Sequence, residues 1–125
     1  QAYLFEYLMA PLLFVSRYPQ SGDLVRWLKG ITNSYIHFGD LDLAGINIFL
    51  TEFRNPLADT QGKRTEFFIP TDVQLRLSHG SRERYDAQIA RFGNLHSDDP
   101  RLEYLISLIH RFRRGYDQEG FIRGI

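Results

Sequence analysis

Ser34 to Gly45 reads SYIHFGDLDLAG, a short apolar run that delivers two aspartates, one residue apart, into a glycine-containing turn. With Tyr35 to Phe38 as a buried strand and Leu43 onward as a helix, Asp40 and Asp42 stand at the carboxyl end of that strand, where open α/β sheets bind their ligands. Two carboxylates held this close repel each other in a low dielectric unless a cation joins them. An oxygen-only pair suits Mg²⁺ or Mn²⁺. The stretch is therefore expected to form half of a metal site. A plainer reading of the same residues makes Asp42 the N-cap of the following helix and Asp40 a solvated loop acid.

The rest of the chain limits what can complete the site. Its 125 residues correspond to one ordinary domain with a real hydrophobic core. With 43% hydrophobic and 24% charged residues it falls in the soluble globular class. Cysteine is absent, so disulfides and thiolate metal sites are excluded, and any metal must use oxygen or histidine. That usage is compatible with a cytoplasmic location. No apolar run approaches the roughly 20 residues that span a bilayer, so no membrane partner is expected. The 15 basic and 15 acidic residues cancel, leaving no bulk nucleic-acid signature. Their distribution is uneven: Arg111, Arg113, Arg114 and Arg123 cluster in the last fifth, while Asp40, Asp42 and Asp59 lie centrally. The chain begins at Gln1, and Ala2 to Ala10 already reads as the inside of an element, which predicts a piece of a longer protein.

Outward from the focal strand, the chain alternates. Ala2 to Ala10 reads as the end of a helix and Pro11 to Ser16 as a strand buried on both faces. A helix is predicted over Asp23 to Lys29, capped by Ser21, with Leu24, Trp27 and Leu28 inward and Gly30 ending it. A second is predicted over Leu43 to Phe53, where Leu43, Ile46, Leu50 and Phe53 recur at helical spacing. Residues 54–64 form a polar loop and Thr65 to Pro70 a third strand. Thr71 can cap the next segment, in which Val73 to Leu77 fits either a strand or one helical turn. Ser81 to Phe92 reads as a helix with Tyr85, Ile89 and Phe92 on one face. After a loop, Asp98 or Asp99 caps an amphipathic helix over Arg101 to Arg114, stopped by Gly115. This alternation predicts a parallel sheet with helical crossovers.

The motif GDLDLAG resembles the Asp-x-Asp motif of the Toprim fold of topoisomerases, primases, old-family nucleases and the Spo11/topoisomerase VI A family. The nearest likeness is to the Toprim domain of the nuclease subunit of Wadjet anti-plasmid systems. It rests on HFGDLDLAGINI, on FFIP after the next loop and on YDQEGF near the end, where those proteins carry a glutamate-glutamine-glutamate run. The resemblance covers Pro11 to Phe121. It implies a Rossmann-like Toprim fold, a mostly parallel sheet flanked by helices, as a single domain. It also implies Mg²⁺- or Mn²⁺-dependent DNA phosphodiester cleavage in plasmid or phage defence, with an SMC-like ATPase complex as partner. Asp40 and Asp42 would be catalytic metal ligands, and Glu119, with Asp117 as second choice, the third acid. The Toprim glutamate should end an earlier strand. Glu6 is the only acid before Pro11, and the gap between them is shorter than the ten or so residues of a crossover. The family glutamate is therefore expected upstream of Gln1, unless this relative never had it.

Other readings compete. An EF-hand needs an oxygen ligand at the fifth loop position and glutamate at the twelfth, which are Ala44 and Thr51 here. A haloacid-dehalogenase phosphatase would use Asp40 as nucleophile and a later acidic pair, for which Asp98 and Asp99 stand in. A non-catalytic Toprim module for binding DNA or protein is a third reading. Arg111, Arg113, Arg114 and Arg123 are candidates for nucleic-acid phosphate contacts, or a solvated helix end complementing its dipole. His37 is expected to be a core histidine, and His79, His96 and His110 lack ligand spacing.

Overall fold

The computed structural model describes residues 21–31, 34–58 and 64–120. The helix expected over Ala2 to Ala10, the strand over Pro11 to Ser16, Glu6, Asp59 and Arg123 lie outside those residues. What is described is mixed α/β, with a small parallel sheet flanked by helices.

The first helix, α1 (Ser21–Lys29), ends at Gly30, whose N–H reaches the Trp27 carbonyl at 3.0 Å. Val25 and Leu28 are its buried anchors, whereas Trp27 is 44% exposed, contrary to the inward position expected for it. Strand β1 (Tyr35–His37) pairs in parallel with β2 (Thr65–Phe67), Tyr35 opposite Thr65, Ile36 opposite Glu66 and His37 opposite Phe67. Parallel pairing follows from the crossover between them, since a helix returns the chain to the same end of the sheet. Both strands are shorter than expected, although the His37 carbonyl accepts from the Phe68 N–H at 2.8 Å and prolongs the ladder by one bond.

The crossover starts as α2 (Leu43–Ile48), continues through a π-helical segment (Phe49–Arg54) and ends as α3 (Asn55–Leu57). It runs past the predicted end at Phe53 and takes in the start of the predicted loop. Leu43, Ile46, Phe49, Leu50, Phe53 and Leu57 are all buried, so the apolar face itself extends to Leu57. A buried side chain of this size is worth about 1.5–3 kcal/mol. Asn55 donates its N–H five residues back, to Leu50. This wider turn directly before Pro56 makes room for a ring that a regular α-turn would press against the carbonyl four residues earlier.

Val73 to Leu77, open between strand and helix in the sequence, is helical as α4 (Val73–Ser78), preceded by Asp72 rather than Thr71. Val73 and Leu77 face the core, and Arg76 is buried with them because the Asp72 carboxylate (2.8 Å) and the Tyr116 hydroxyl (3.1 Å) accept its N–H groups. Helix α5 (Arg82–Phe92) is capped by Ser81, whose hydroxyl accepts from the Arg84 N–H at 3.1 Å. Helix α6 (Pro100–Phe112) is capped by Asp99, with Pro100 at its first position. Its buried face is Leu102, Leu105, Ile106, Leu108 and Ile109.

The chain leaves α6 at Arg113, in the left-handed conformation (φ 54°, ψ 45°), two residues before the glycine expected to stop it. This reversal sends the following residues back along the domain. Gly115 and Ser81 exchange two backbone hydrogen bonds (2.7 and 3.0 Å), and Leu41 and Tyr116 exchange two more (2.8 and 2.9 Å). A short extended segment thus ties the end of β1 to the start of α5. Among the described residues, no helix is long and apolar enough to cross a membrane.

Candidate functional site

The backbone ties at Leu41 and Ser81 bring three acids to one side of the domain. Asp40 and Asp42 follow β1, and Asp117 follows the extended segment. Each carboxylate is held the same way. Its Oδ1 accepts a backbone N–H: Gln118 for Asp40 (2.8 Å), Gly45 for Asp42 (2.6 Å) and Glu119 for Asp117 (2.9 Å). Its Oδ2 faces the Arg84 guanidinium. Arg84 Nη1 lies 3.3 Å from Asp40 and 2.9 Å from Asp42, and Nη2 lies 3.2 Å from Asp117. Asp42 Oδ2 also accepts from Gln88 Nε2 at 3.1 Å, while Gln88 Oε1 accepts the Ala44 N–H at 3.0 Å.

Asp42 therefore does two things. It caps α2, as the plainer reading of the sequence has it, and it presents its second oxygen to a cation. Two glycines allow the packing. A Cβ on Gly45 would collide with the Asp40 carbonyl oxygen and lie 2.9 Å from Asp42 Oδ1. A Cβ on Gly115 would lie 2.8 Å from both Asp42 Cβ and Arg84 Cδ. Real side chains essentially never approach that closely, so both positions require a hydrogen in place of a methyl.

Burial of Asp40 raises its pKa above the ordinary carboxylate value, and the neighbouring charges of Asp42 and Asp117 push the same way. The Gln118 N–H and Arg84 work against that rise. The hydrogen bond to Asp42 raises the pKa of Arg84, so the guanidinium keeps its charge despite partial burial.

The donor set consists of hard carboxylate oxygens turned on one cationic centre, the chemistry that Mg²⁺ or Mn²⁺ prefers. Among the described residues, no three acids or histidines close on one point at metal-ligand spacing; here the three oxygens are spread around the two terminal nitrogens of a guanidinium. Asp117 supplies the third oxygen, whereas Glu119 is exposed and enters the cluster through its backbone N–H.

Of the candidate phosphate contacts, Arg111 and Arg113 are exposed, and Arg111 lies over the Phe112 ring. Arg114 donates to the Gly80 carbonyl at 3.1 Å. Asp98 pairs with Arg54 and Asp99 caps α6. Arg54 lies twelve residues beyond Asp42 along one helical run, on the order of 15 Å away, so that acidic pair serves the far end of the helix rather than Asp40. His37 is a core histidine as expected, 5% exposed, bonded to the Tyr35 hydroxyl at 2.8 Å and ringed by Phe49, Phe53 and Phe67. His110 bonds the Tyr85 hydroxyl at 2.8 Å, and His96 faces Glu103.

Arg84 and Gln88 are absent from the sequence-based site. One signal was available: they lie four apart on α5 and so share one row of that helix. No family model, curated protein or solved structure matches the chain.

Proposed function

We propose that this chain is a Toprim-type nuclease domain that cleaves DNA phosphodiester bonds with Mg²⁺ or Mn²⁺, working in a larger defence assembly with an SMC-like ATPase. The observation that carries this reading is the convergence of Asp40, Asp42 and Asp117 at the carboxyl end of β1, each with Oδ1 fixed by a backbone N–H and Oδ2 offered to a cation. Bound there, the metal would polarise the scissile phosphate and stabilise charge on the leaving oxygen. The chain's own contribution is positional. Backbone N–H groups orient the carboxylates, Gln88 fixes Asp42 from the side, and Arg111, Arg113, Arg114 and Arg123 are the cations proposed to hold the DNA backbone. Parallel pairing of β1 with β2 supports the doubly wound arrangement in which such acids follow a strand.

Mn²⁺-dependent nicking of supercoiled plasmid tests the proposal, comparing the unmodified protein with Asp40→Asn, Asp117→Asn and Glu119→Gln. Asp40→Asn and Asp117→Asn should lose most of the activity, and Glu119→Gln should lose less. Full activity in Asp40→Asn would end the metal-site reading. The placement of Asp98 and Asp99 disfavours a phosphatase, which would instead hydrolyse a small phosphomonoester through Asp40. A binding module would retain DNA in all variants and cut none.

A further inference from the structure

We propose that Arg84 is the resident counter-ion of the acidic site, that it yields the carboxylates to a divalent cation, and that it then becomes the group that grips the phosphodiester. The proposal rests on the metal-site reading above and adds a residue that reading does not contain.

Three observations carry it. First, the oxygens that would bind a metal are those already engaged. Arg84 Nη1 touches Asp40 Oδ2 and Asp42 Oδ2 at 3.3 and 2.9 Å, and Nη2 touches Asp117 Oδ2. A magnesium ion sits at about 2.1 Å from its ligand oxygens, so the oxygens must close on a point that the guanidinium now props open. Ion and guanidinium are alternatives there. Second, the carboxylates do not depend on Arg84 for their orientation. Each keeps its backbone N–H on Oδ1, and Gln88 continues to hold Asp42 when the guanidinium leaves. Third, Arg84 can leave without unfolding anything. Its side chain is 31% exposed, its backbone is fixed by the Ser81 cap, and the neighbouring Tyr85 anchors the helix in the core.

The charges favour exchange over simple addition. Three carboxylates and one guanidinium leave two negative charges, which attract a divalent ion; once it is seated, the guanidinium faces a net charge of minus one instead of minus three and its hold on the oxygens weakens. A planar fork that has lost its carboxylates matches a phosphate better than any other partner available at a DNA backbone. Metal and DNA binding are thereby coupled through one side chain, and such coupling is reciprocal.

The test is Mn²⁺ binding by electron paramagnetic resonance on the whole chain, with and without a short DNA duplex, for the unmodified protein, Arg84→Gln and Arg84→Lys. Arg84→Gln should bind Mn²⁺ about tenfold more tightly without DNA and lose the further tightening that DNA produces in the unmodified protein. Arg84→Lys should fall between them. Unchanged or weaker Mn²⁺ binding in Arg84→Gln, with Asp40→Asn abolishing it, would overturn the counter-ion role and leave the metal site standing. Mn²⁺ binding by none of the proteins would remove the metal site as well. A measurement that needs no variant is the Arg84 side-chain ¹⁵N resonance during Mg²⁺ titration. It should shift together with the Asp40 carboxylate carbon, and a stationary Arg84 signal while Asp40 moves would refute the exchange.

Discussion

Replacing Asp42 should separate its two duties. In Asp42→Ala, the Gly45 N–H loses its cap, a loss of about 1 kcal/mol and at most about 2. Arg84 and Gln88 lose a buried charged acceptor as well, which adds about 1–3 kcal/mol. The upper part of that range is reduced because Arg84 keeps Asp40, Asp117 and some solvent. A net cost of about 2–4 kcal/mol follows, a large share of the 5–15 kcal/mol of an ordinary domain. Asp42→Ser keeps an oxygen within reach of the Gly45 N–H and should recover about 1 kcal/mol of it. Asp42→Asn keeps the cap through its carbonyl oxygen but turns an amide donor toward two donors, Arg84 Nη1 and Gln88 Nε2, and should be no more stable than the serine variant. Urea unfolding in metal-free buffer, followed by far-ultraviolet circular dichroism, reads these differences. Equal stability of the alanine and serine variants would refute the capping argument, and an alanine variant as stable as the parent would refute both. The order also sets a condition on activity measurements: lost cleavage in Asp42→Ala reports partly on folding, so Asp40→Asn is the cleaner probe.

Because burial raises the Asp40 pKa, the folded metal-free protein takes up that proton more readily than the unfolded chain. Its contribution therefore favours folding as pH falls through the raised value and is lost as pH rises; Asp40→Asn should flatten this component of a urea-midpoint profile on the side above the ordinary carboxylate pKa. Gly45→Ala should destabilise by about 1–3 kcal/mol despite the better helix propensity of alanine, because the added methyl meets the Asp40 carbonyl and the Asp42 carboxylate; a gain in thermal midpoint would contradict this. Arg113→Gly should stabilise by up to about 1 kcal/mol by relieving a left-handed non-glycine residue. If Arg113 contacts a phosphate, the same variant should lower the salt slope of DNA binding by about 1.

Patterned stretches were legible in the sequence. The apolar recurrence of Leu102, Leu105, Ile106 and Ile109 announces α6, and the acidic pair Asp98 and Asp99 marks its start, because a short side-chain oxygen before an apolar run has few other uses; the cap is Asp99. Ser81, the first residue of the helix expected from the sequence, is instead the cap of α5. The pairing of an acidic turn with a preceding strand placed Asp40 and Asp42. Local pattern fails where tertiary packing decides. Trp27 faces outward although its spacing suits the core, and Val73 to Leu77 satisfies two periodicities until its neighbours choose. The crossover outlasts its polar-looking sequence because Leu57 lies on the same buried face as Phe53, and a π-turn accommodates Pro56. For the site, the sequence offers acids but not the order in which a returning segment presents them. Whether Asp117 or Glu119 faces Asp40 is set by the Leu41–Tyr116 bridge, a contact between residues far apart in the chain. Arg84 was missed for the same reason: its spacing of four from Gln88 marks a shared row on α5 but not the acids that row meets.

The Leu41–Tyr116 and Ser81–Gly115 bridges also fix a timetable. Asp40 and Asp42 precede most of the domain and Asp117 follows it, so the trio does not exist in a half-made chain. Until α6 has docked and the chain has reversed at Arg113, the early acids have neither Asp117 nor the Gln118 N–H beside them. The site is thus completed only after α6 has been made and docked, and a chain truncated after Phe112 would keep the buried faces of α2 and α6 yet lack a closed acidic centre.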